Sequence, residues 1–305
     1  METKIPEQLK ADVPPTRWDK VLTATPVVMT VIATLLAGLA SGEMTKAQYV
    51  RSLAAQLQSK AADQWGFFQA KRLRSAVQLG TLDVLQATSA QKLDADALRA
   101  FAATQPDAAV ILPALQFLLA GELPAQAAAP VPDAKVRAAL EAMERGLAGP
   151  ELNRLVNAAP APRVADALRA AQDHARAFDT LLRPVITGGD LLGDLLDPAT
   201  TDRRVLSRDF TVLRLRYSAL RYDTEARLNQ AIAHLLELQV RQGNLTAERH
   251  HRRSSQFFYG MLGAQAAVII ATFALAARQR NVLWSLAAAA GLGALSFAAY
   301  VFLFI

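Results

Sequence analysis

The side chains best suited to bind a metal ion or a charged ligand lie close to an apolar segment. His250 and His251 are adjacent, and neighbours on a helix point about 100° apart, so the two rings do not chelate one ion together. Arg249, Arg252 and Arg253 flank them. Such a basic cluster next to a membrane segment is typical of contact with lipid headgroups. A pH-sensing role for the histidines is the alternative.

A second candidate is the glycine–aspartate segment formed by Gly188-Gly189-Asp190 and Gly193-Asp194. A phosphate loop would continue into Gly-Lys-Ser/Thr, and a calcium loop would end in a glutamate, and neither follows here. We therefore predict a turn. The sequence also contains no cysteine and no His-Glu-x-x-His motif. We predict no catalytic residue, no cofactor site and no metal site, and hence a protein that is not an enzyme.

The composition favours helices and does not favour nucleic-acid binding. Alanine is frequent and aromatic residues make up 7% of the chain, a combination with high helix propensity. The 33 Lys and Arg residues exceed the 27 Asp and Glu residues, for a net charge of +6. These charges are interspersed rather than grouped, as on a solvated helical surface.

Three uncharged apolar stretches run over 21–42, 257–277 and 282–305. Each is about twenty residues long, the length that a helix needs to cross a bilayer. The first is longer than the apolar part of a usual signal peptide, which favours a retained anchor. We predict an all-α membrane protein with three transmembrane helices at 20–42, 257–277 and 282–305. No charged residue lies at mid-depth, which argues against an ion-coupled transporter.

Two long helical rods are predicted to extend from the membrane, at 43–88 and 201–256. In the second rod, apolar residues recur every three or four positions, as in a coiled coil; these are Leu206, Phe210, Leu213, Tyr217 and Leu220. Because each rod joins the membrane at one end, the two must be antiparallel if they pair.

The remaining segments differ in composition from the rods. Residues 1–19 form a polar, proline-containing tail, and 278–281 form a short basic loop between the last two spans. Between the rods, 89–200 contains ten prolines and is predicted to be a helical cap at the distal end. Its helices are expected at 93–104, 108–120, 133–147 and 163–183, with breaks at 121–132, 149–162 and 184–198.

The densest cluster of aromatic residues lies in the first rod, within Asp63-Gln64-Trp65-Gly66-Phe67-Phe68-Gln69-Ala70-Lys71. Trp65 and Phe68 share a helix face, whereas Phe67 points elsewhere. Packing between the rods and contact between subunits both fit this pattern. The residues that we assign to packing or subunit contact are Trp65, Phe67, Phe68, Lys71, Phe210, Leu213, Tyr217 and Leu220.

This string resembles the Asp-Gln-Trp-Ala-Tyr-Tyr-Gln-Ala-Lys signature of a bacterial membrane-protein family, domain-of-unknown-function family 4337. The loop from Arg278 to Trp284 is similar to the basic loop and Leu-Trp pair of that family. The resemblance covers about 20–80 and 205–305, so 89–200 is expected to be an insertion. It implies the same layout of membrane helices and a bacterial inner-membrane location. It implies no activity, since the family has none established.

The orientation follows from the shortest loop. Basic residues in short loops stay on the cytoplasmic side, so Arg278 and Arg280 place that loop in the cytoplasm and the large domain in the periplasm. The residues expected at lipid headgroups are Arg249, Arg252, Arg253, Arg278 and Arg280. We expect a non-enzymatic scaffold that forms a homo-oligomer in the bilayer. The alternative is an oligomeric channel lined by the first membrane helix, with Thr30 and Thr34 towards the pore.

Overall fold

The computed structural model describes residues 17–88, 93–197, 203–276 and 280–304, and the regular structure within these ranges is entirely α-helical. The elements are α1 (Arg17–Ala87), α2 (Ala95–Ala103), α3 (Ala108–Ala120), α4 (Ala134–Glu144), α5 (Gly149–Ala158), α6 (Ala161–Leu195), α7 (Arg204–Ala276) and α8 (Arg280–Phe304). The predicted all-α class is confirmed.

Among the described residues, three helices are long and apolar enough to cross a membrane, and each overlaps one of the three predicted spans. The candidate stretches are Lys20–Ala87 in α1, Arg204–Leu275 in α7 and Asn281–Phe304 in α8. The membrane part and the polar part of α1 are therefore one helix, and the same holds for α7. Most of the predicted N-terminal tail, residue 277 of the second predicted span and residues 278–279 of the basic loop lie outside the described residues.

The chain divides into two compact units. The first comprises Met1–Leu53 and Gly243–Ile305, and the second comprises Ala54–Gln242. In the first unit, α1, α7 and α8 bury a small-residue core. Its buried members are Ala33, Leu36, Ala40, Phe257, Ala264, Ala294 and Val301. Small side chains let helix backbones approach closely, which is how membrane helices gain packing energy without a hydrophobic driving force.

The second unit has a larger apolar core between α2, α3, α6 and α7. Leu98, Leu115, Phe178, Leu182 and Phe210 are each at most 3% exposed there. Burying one such side chain contributes about 1.5–3 kcal/mol relative to leaving it in water. This core fixes the four helices against one another.

Specific residues fix the ends of α2 and α3. The Asp94 carboxylate caps α2 by accepting a hydrogen bond from the Ala97 amide at 2.9 Å. The backbone amide of Asp94 donates in turn to Asp209 Oδ2 of α7, also at 2.9 Å. At the end of α3, Gly121 has a φ of 65°, a left-handed conformation that glycine adopts without strain.

Two of the predicted breaks in the cap are wrong. Gly149–Ala158 forms helix α5, and α6 continues through Pro184 to Leu195. The predicted turn at Gly188-Gly189-Asp190 is also wrong, because these residues are helical and both glycines are buried. A proline inside a helix costs about 3 kcal/mol. The buried side chains of α6 on either side of Pro184, Leu182 and Val185, offset that cost.

Candidate interaction sites on the long helices

In the second unit, α1 packs against α7 through small residues that are seven or fourteen positions apart. On α1, Ala54, Ala61 and Ser75 are at most 6% exposed, and on α7, Ala219, Ala226 and Ala233 are at most 3% exposed. The Ser75 hydroxyl donates to the Ala219 carbonyl at 2.9 Å. Contact between a side chain and a facing backbone requires small residues, because larger ones would hold the helices apart.

The aromatic motif lies beside this small-residue contact. Trp65 Nε1 donates to Glu237 Oε1 of α7 at 2.8 Å. The Trp65 ring also meets Phe68 and His234 edge to face, at centroid distances of 5.4 and 5.0 Å. Such pairs contribute about 0.5–1.5 kcal/mol beyond their buried area. Trp65 thus ties α1 to α7 within one chain.

Ion pairs continue the contact about two turns further along α1. Lys71 pairs with Glu225, and Arg72 pairs with Asp223. The Lys71 ammonium also lies 5.2 Å from the centroid of the Tyr222 ring, within the range of a cation–π interaction. Because the partner number on α7 falls as the number on α1 rises, the two helices are antiparallel in this unit.

Asp223 makes the stability of this contact depend on pH. A hydrogen bond from Arg227 lowers the pKa of Asp223, burial opposes it, and Arg72 lowers it further, so the pKa lies below its ordinary value of 3.8. A carboxylate whose pKa is lowered on folding stabilises the folded state at pH values above its ordinary pKa. That contribution disappears as the pH falls through the pKa of the folded state.

We therefore expect Asp223→Asn to lower the stability of the second unit at pH 7 by about 0.5–1 kcal/mol. The difference from the parent should vanish when thermal unfolding is repeated in acid, below the pKa of the folded state. Asp173→Asn serves as the control, because Asp173 is exposed and pairs with Arg176 of its own helix. A deficit that persists in acid would mean that the carboxylate charge is not responsible.

The other predicted packing residues of the second rod lie in a different place. Phe210, Leu213 and Tyr217 are buried in the core shared with α2, α3 and α6. Burial raises the pKa of Tyr217 to about 12, with a small opposing effect of Arg221. Leu220 is exposed, as is Phe67 on α1. The structure therefore does not bring the eight residues together into one cluster.

A second apolar stripe, which we call the outer seam, lies on the side of α1 opposite its contact with α7. All its members are exposed and uncharged, and they recur every four and three residues: Gly66, Ala70, Leu73, Val77, Gly80, Val84 and Ala87. Leu73, Val77 and Val84 are 66%, 55% and 62% exposed. A charge-free stripe with heptad spacing is the pattern of a helix that pairs with another helix.

The basic cluster of the first unit lies beside a contact between α1 and α7. The Ser254 hydroxyl donates to the Ala40 carbonyl at 2.7 Å, and His250 Nδ1 lies 2.6 Å from Glu43 Oε2. Burial raises the pKa of Glu43, but hydrogen bonds from Lys46 and His250 outweigh it and leave the pKa below its ordinary value. His250 thus links α7 to α1 through Glu43.

The predicted headgroup residues differ in their surroundings. Arg249 is exposed, Arg252 pairs with Glu248 at 2.7 Å, and Arg253 is half-buried. Arg278 lies outside the described residues, and Arg280 begins α8 without a described side chain. Among the described residues, no group of three or more His, Asp or Glu side chains is placed to hold a metal ion.

At the other end of the first unit, two tryptophans meet near the start of α1. Trp18 Nε1 donates to Asn281 Oδ1 at 3.0 Å, and Trp284 Nε1 donates to Thr25 Oγ1 at 2.9 Å. The two indole rings are 4.9 Å apart. Tryptophan is enriched at membrane–water interfaces. Trp18 and Trp284 are therefore suited to lie at the interface on the side of the basic loop.

Sequence reasoning missed the seven-residue repeat of small residues. On α1 it comprises Ala33, Ala40, Ala47, Ala54 and Ala61, and on α7 it comprises Ala219, Ala226, Ala233, Ala247 and Ser254; all ten are buried. Alanine is common throughout this chain, which hides the repeat from a search for large apolar residues. Counting alanine alone at every seventh position would have revealed it.

The family comparison matches one part of the chain. Residues 18–110 match the family described as "Domain of unknown function (DUF4337)", which confirms the resemblance based on the aromatic motif. The match continues through α2 into α3, beyond residue 80, where the resemblance was expected to end. Neither the curated proteins nor the solved structures contain a match to this chain.

Proposed function

We propose that this protein is a non-enzymatic, membrane-anchored helical scaffold that assembles with copies of itself. The outer seam of α1 is the observation that supports it, because its large side chains are exposed although no charge interrupts them. Exposed apolar stripes of this length are unusual on a monomer and mark sites of association. In this proposal, α1 and α7 form two antiparallel rods that hold the cap away from the bilayer.

The occupant proposed for the outer seam is the same seam of a second copy, in parallel orientation. Since α1 continues from a membrane span, copies in one membrane present this helix in the same direction. Val77 and Val84 then take the heptad position a, where β-branched residues favour dimers. Leu73 takes position d, where leucine favours dimers. Gln69 of one copy would lie beside Arg74 of the other, and no like charges meet across the seam.

Charges placed in the outer seam are expected to separate the copies. In the double variant Leu73→Lys, Val77→Lys, each pair of copies would bury four ammonium groups, or else dissociate. We expect the dissociation constant to rise by about 100-fold or more, measured by mass photometry of the protein in detergent over a dilution series.

Leu79→Lys is the matched control, since Leu79 is also an exposed leucine of α1 but lies off the outer seam. It should leave the oligomer unchanged. A parent protein that is monomeric at all concentrations would refute self-assembly. An oligomer that withstands the double variant would place the subunit contact elsewhere.

The channel alternative has less support. The hydroxyls of Thr30 and Thr34 donate to the carbonyls of Pro26 and Thr30 within their own helix, at 2.8 and 2.9 Å. This is the usual way in which a membrane helix satisfies a threonine. The hydroxyl protons are therefore already used within the helix, and only the oxygen lone pairs remain for a permeating cation or water.

A location in the bacterial inner membrane, with the cap in the periplasm, completes the proposal. It rests on the basic residues of the loop between α7 and α8. Alkaline phosphatase folds only in the periplasm, so a fusion after Arg145, at the end of α4, should be active, and a fusion at the N-terminus should be inactive. The opposite pair of results would place the cap in the cytoplasm.

A further inference from the structure

A cavity of about 580 Å³ lies in the second unit, between α4, α6, α7 and the extended segment 129–133. Its volume falls within the range of about 300–1,000 Å³ that small-molecule sites occupy. One wall is held in place by Gln126, whose side-chain amide donates to the His174 carbonyl at 2.7 Å. The scaffold role does not use this cavity.

The walls are mainly apolar. Leu140 of α4, Ala167 and Ala171 of α6, and Leu228 of α7 line it. Val131 of the extended segment also lines it and is 77% exposed. A bound molecule with an apolar body would cover this valine and the opposite wall together, which is favourable at about 25 cal/mol per Å² of apolar surface.

The charged groups of the lining favour a cation. Asp133, Glu144 and Asp166 carry three negative charges, and Arg163 carries one positive charge. Asp166 is paired with Arg169 at 2.8 Å. Glu144, by contrast, has a single long contact among the described residues, 3.9 Å from Oε1 to His234 Nε2. Its carboxylate is therefore available to an incoming ammonium group.

His234 provides a second polar group at this site. Its Nδ1 atom is buried and has no hydrogen-bond partner among the described residues, and the nearest carboxylate oxygen, Glu237 Oε2, is 4.0 Å away. A buried polar atom without a partner costs about 1–3 kcal/mol.

We propose that this cavity binds a small amphipathic cation, with an apolar or aromatic body and one amine. The body would lie between Val131 and the alanine face of α6, and the amine would pair with Glu144. This inference does not depend on self-assembly, so either one can fail without the other.

Trp65 offers a direct signal for binding, since its ring lies 5.0 Å from that of His234. The full chain would carry Trp18→Phe and Trp284→Phe, which leaves Trp65 as its one tryptophan, in nanodiscs of zwitterionic lipid. Three probes share a phenylethyl body and differ in charge: 2-phenylethylamine, 3-phenylpropionate and 2-phenylethanol. We expect the amine to change Trp65 fluorescence saturably and to bind more tightly than the other two.

Two variants and one control locate the binding. Glu144→Gln should weaken amine binding about fivefold, the loss of one half-exposed ion pair, whereas Glu141→Gln on the same helix should have no effect. Ala170→Leu should fill the cavity and abolish binding, with circular dichroism confirming the fold. The proposal is overturned if no probe saturates, if the propionate binds more tightly than the amine, or if Glu144→Gln and Glu141→Gln have equal effects.

Discussion

Replacing Gly188 by alanine is expected to destabilise the second unit by about 3 kcal/mol or more, the upper range for overpacking a core. A Cβ atom at this position would lie 2.5 Å from the Val110 carbonyl oxygen and 2.5 Å from Ala114 Cβ. Both contacts belong to α3, and a backbone oxygen cannot rotate away as a side chain can. Relief would require α3 and α6 to separate, which would expose the surrounding core.

The neighbouring glycine provides a matched control in the same helix. A Cβ at Gly189 would meet only Leu118 Cδ1, at 3.7 Å, an ordinary van der Waals distance. Gly189→Ala should therefore be neutral or stabilise by up to about 1 kcal/mol, from the higher helix propensity of alanine. Thermal unfolding of both variants measures the difference. Equal melting temperatures would show that α3 does not approach Gly188 this closely.

The second large effect is expected in the first unit, at Gly291 of α8. A Cβ atom there would overlap the Cε and Sδ atoms of Met29 on α1. The methionine side chain is flexible, so Gly291→Ala should be tolerated after a small shift of Met29. Gly291→Leu leaves no space for that shift. We expect this substitution to lower the stability of the first unit by about 1–3 kcal/mol. It should also lower the temperature at which the detergent-solubilised protein aggregates.

Gly293, two residues further along α8, is the control for this effect. No atom lies within 4 Å of a Cβ built at that position, so Gly293→Leu should leave the aggregation temperature unchanged. Both substitutions add the same side chain to the same helix and thus have the same effect on hydropathy. If the two variants were equally destabilised, close packing against Met29 would not be the cause.

The features that the sequence predicts well are those that depend on composition over about twenty residues. Three uncharged apolar stretches are sufficient to predict three candidate spans, because the hydrocarbon thickness fixes the length. Abundant alanine and few β-branched residues likewise predict helices on each side of the membrane segments. The aromatic motif was correctly placed on a helix, since Trp65 and Phe68 are one turn apart.

The features that could not be predicted depend on which surfaces meet. Pro184, Gly188 and Gly189 are local signals for a break in the helix, yet packing of α6 against α3 overrides them. At Gly188 the backbone of α3 lies too close to leave space for a Cβ atom. Phe210, Leu213 and Tyr217 have heptad spacing, which identifies an apolar face but not its neighbour. Here the neighbours are α2, α3 and α6 rather than α1.

The seven-residue repeat of small residues also limits how the chain can change in length. One residue inserted into a helix rotates everything beyond it by about 100°, so a single insertion in α1 would turn larger side chains towards α7. Seven residues restore the original face to within about 20°. Related chains should therefore differ in the length of α1 by seven residues rather than by one or two, with an equal change in α7.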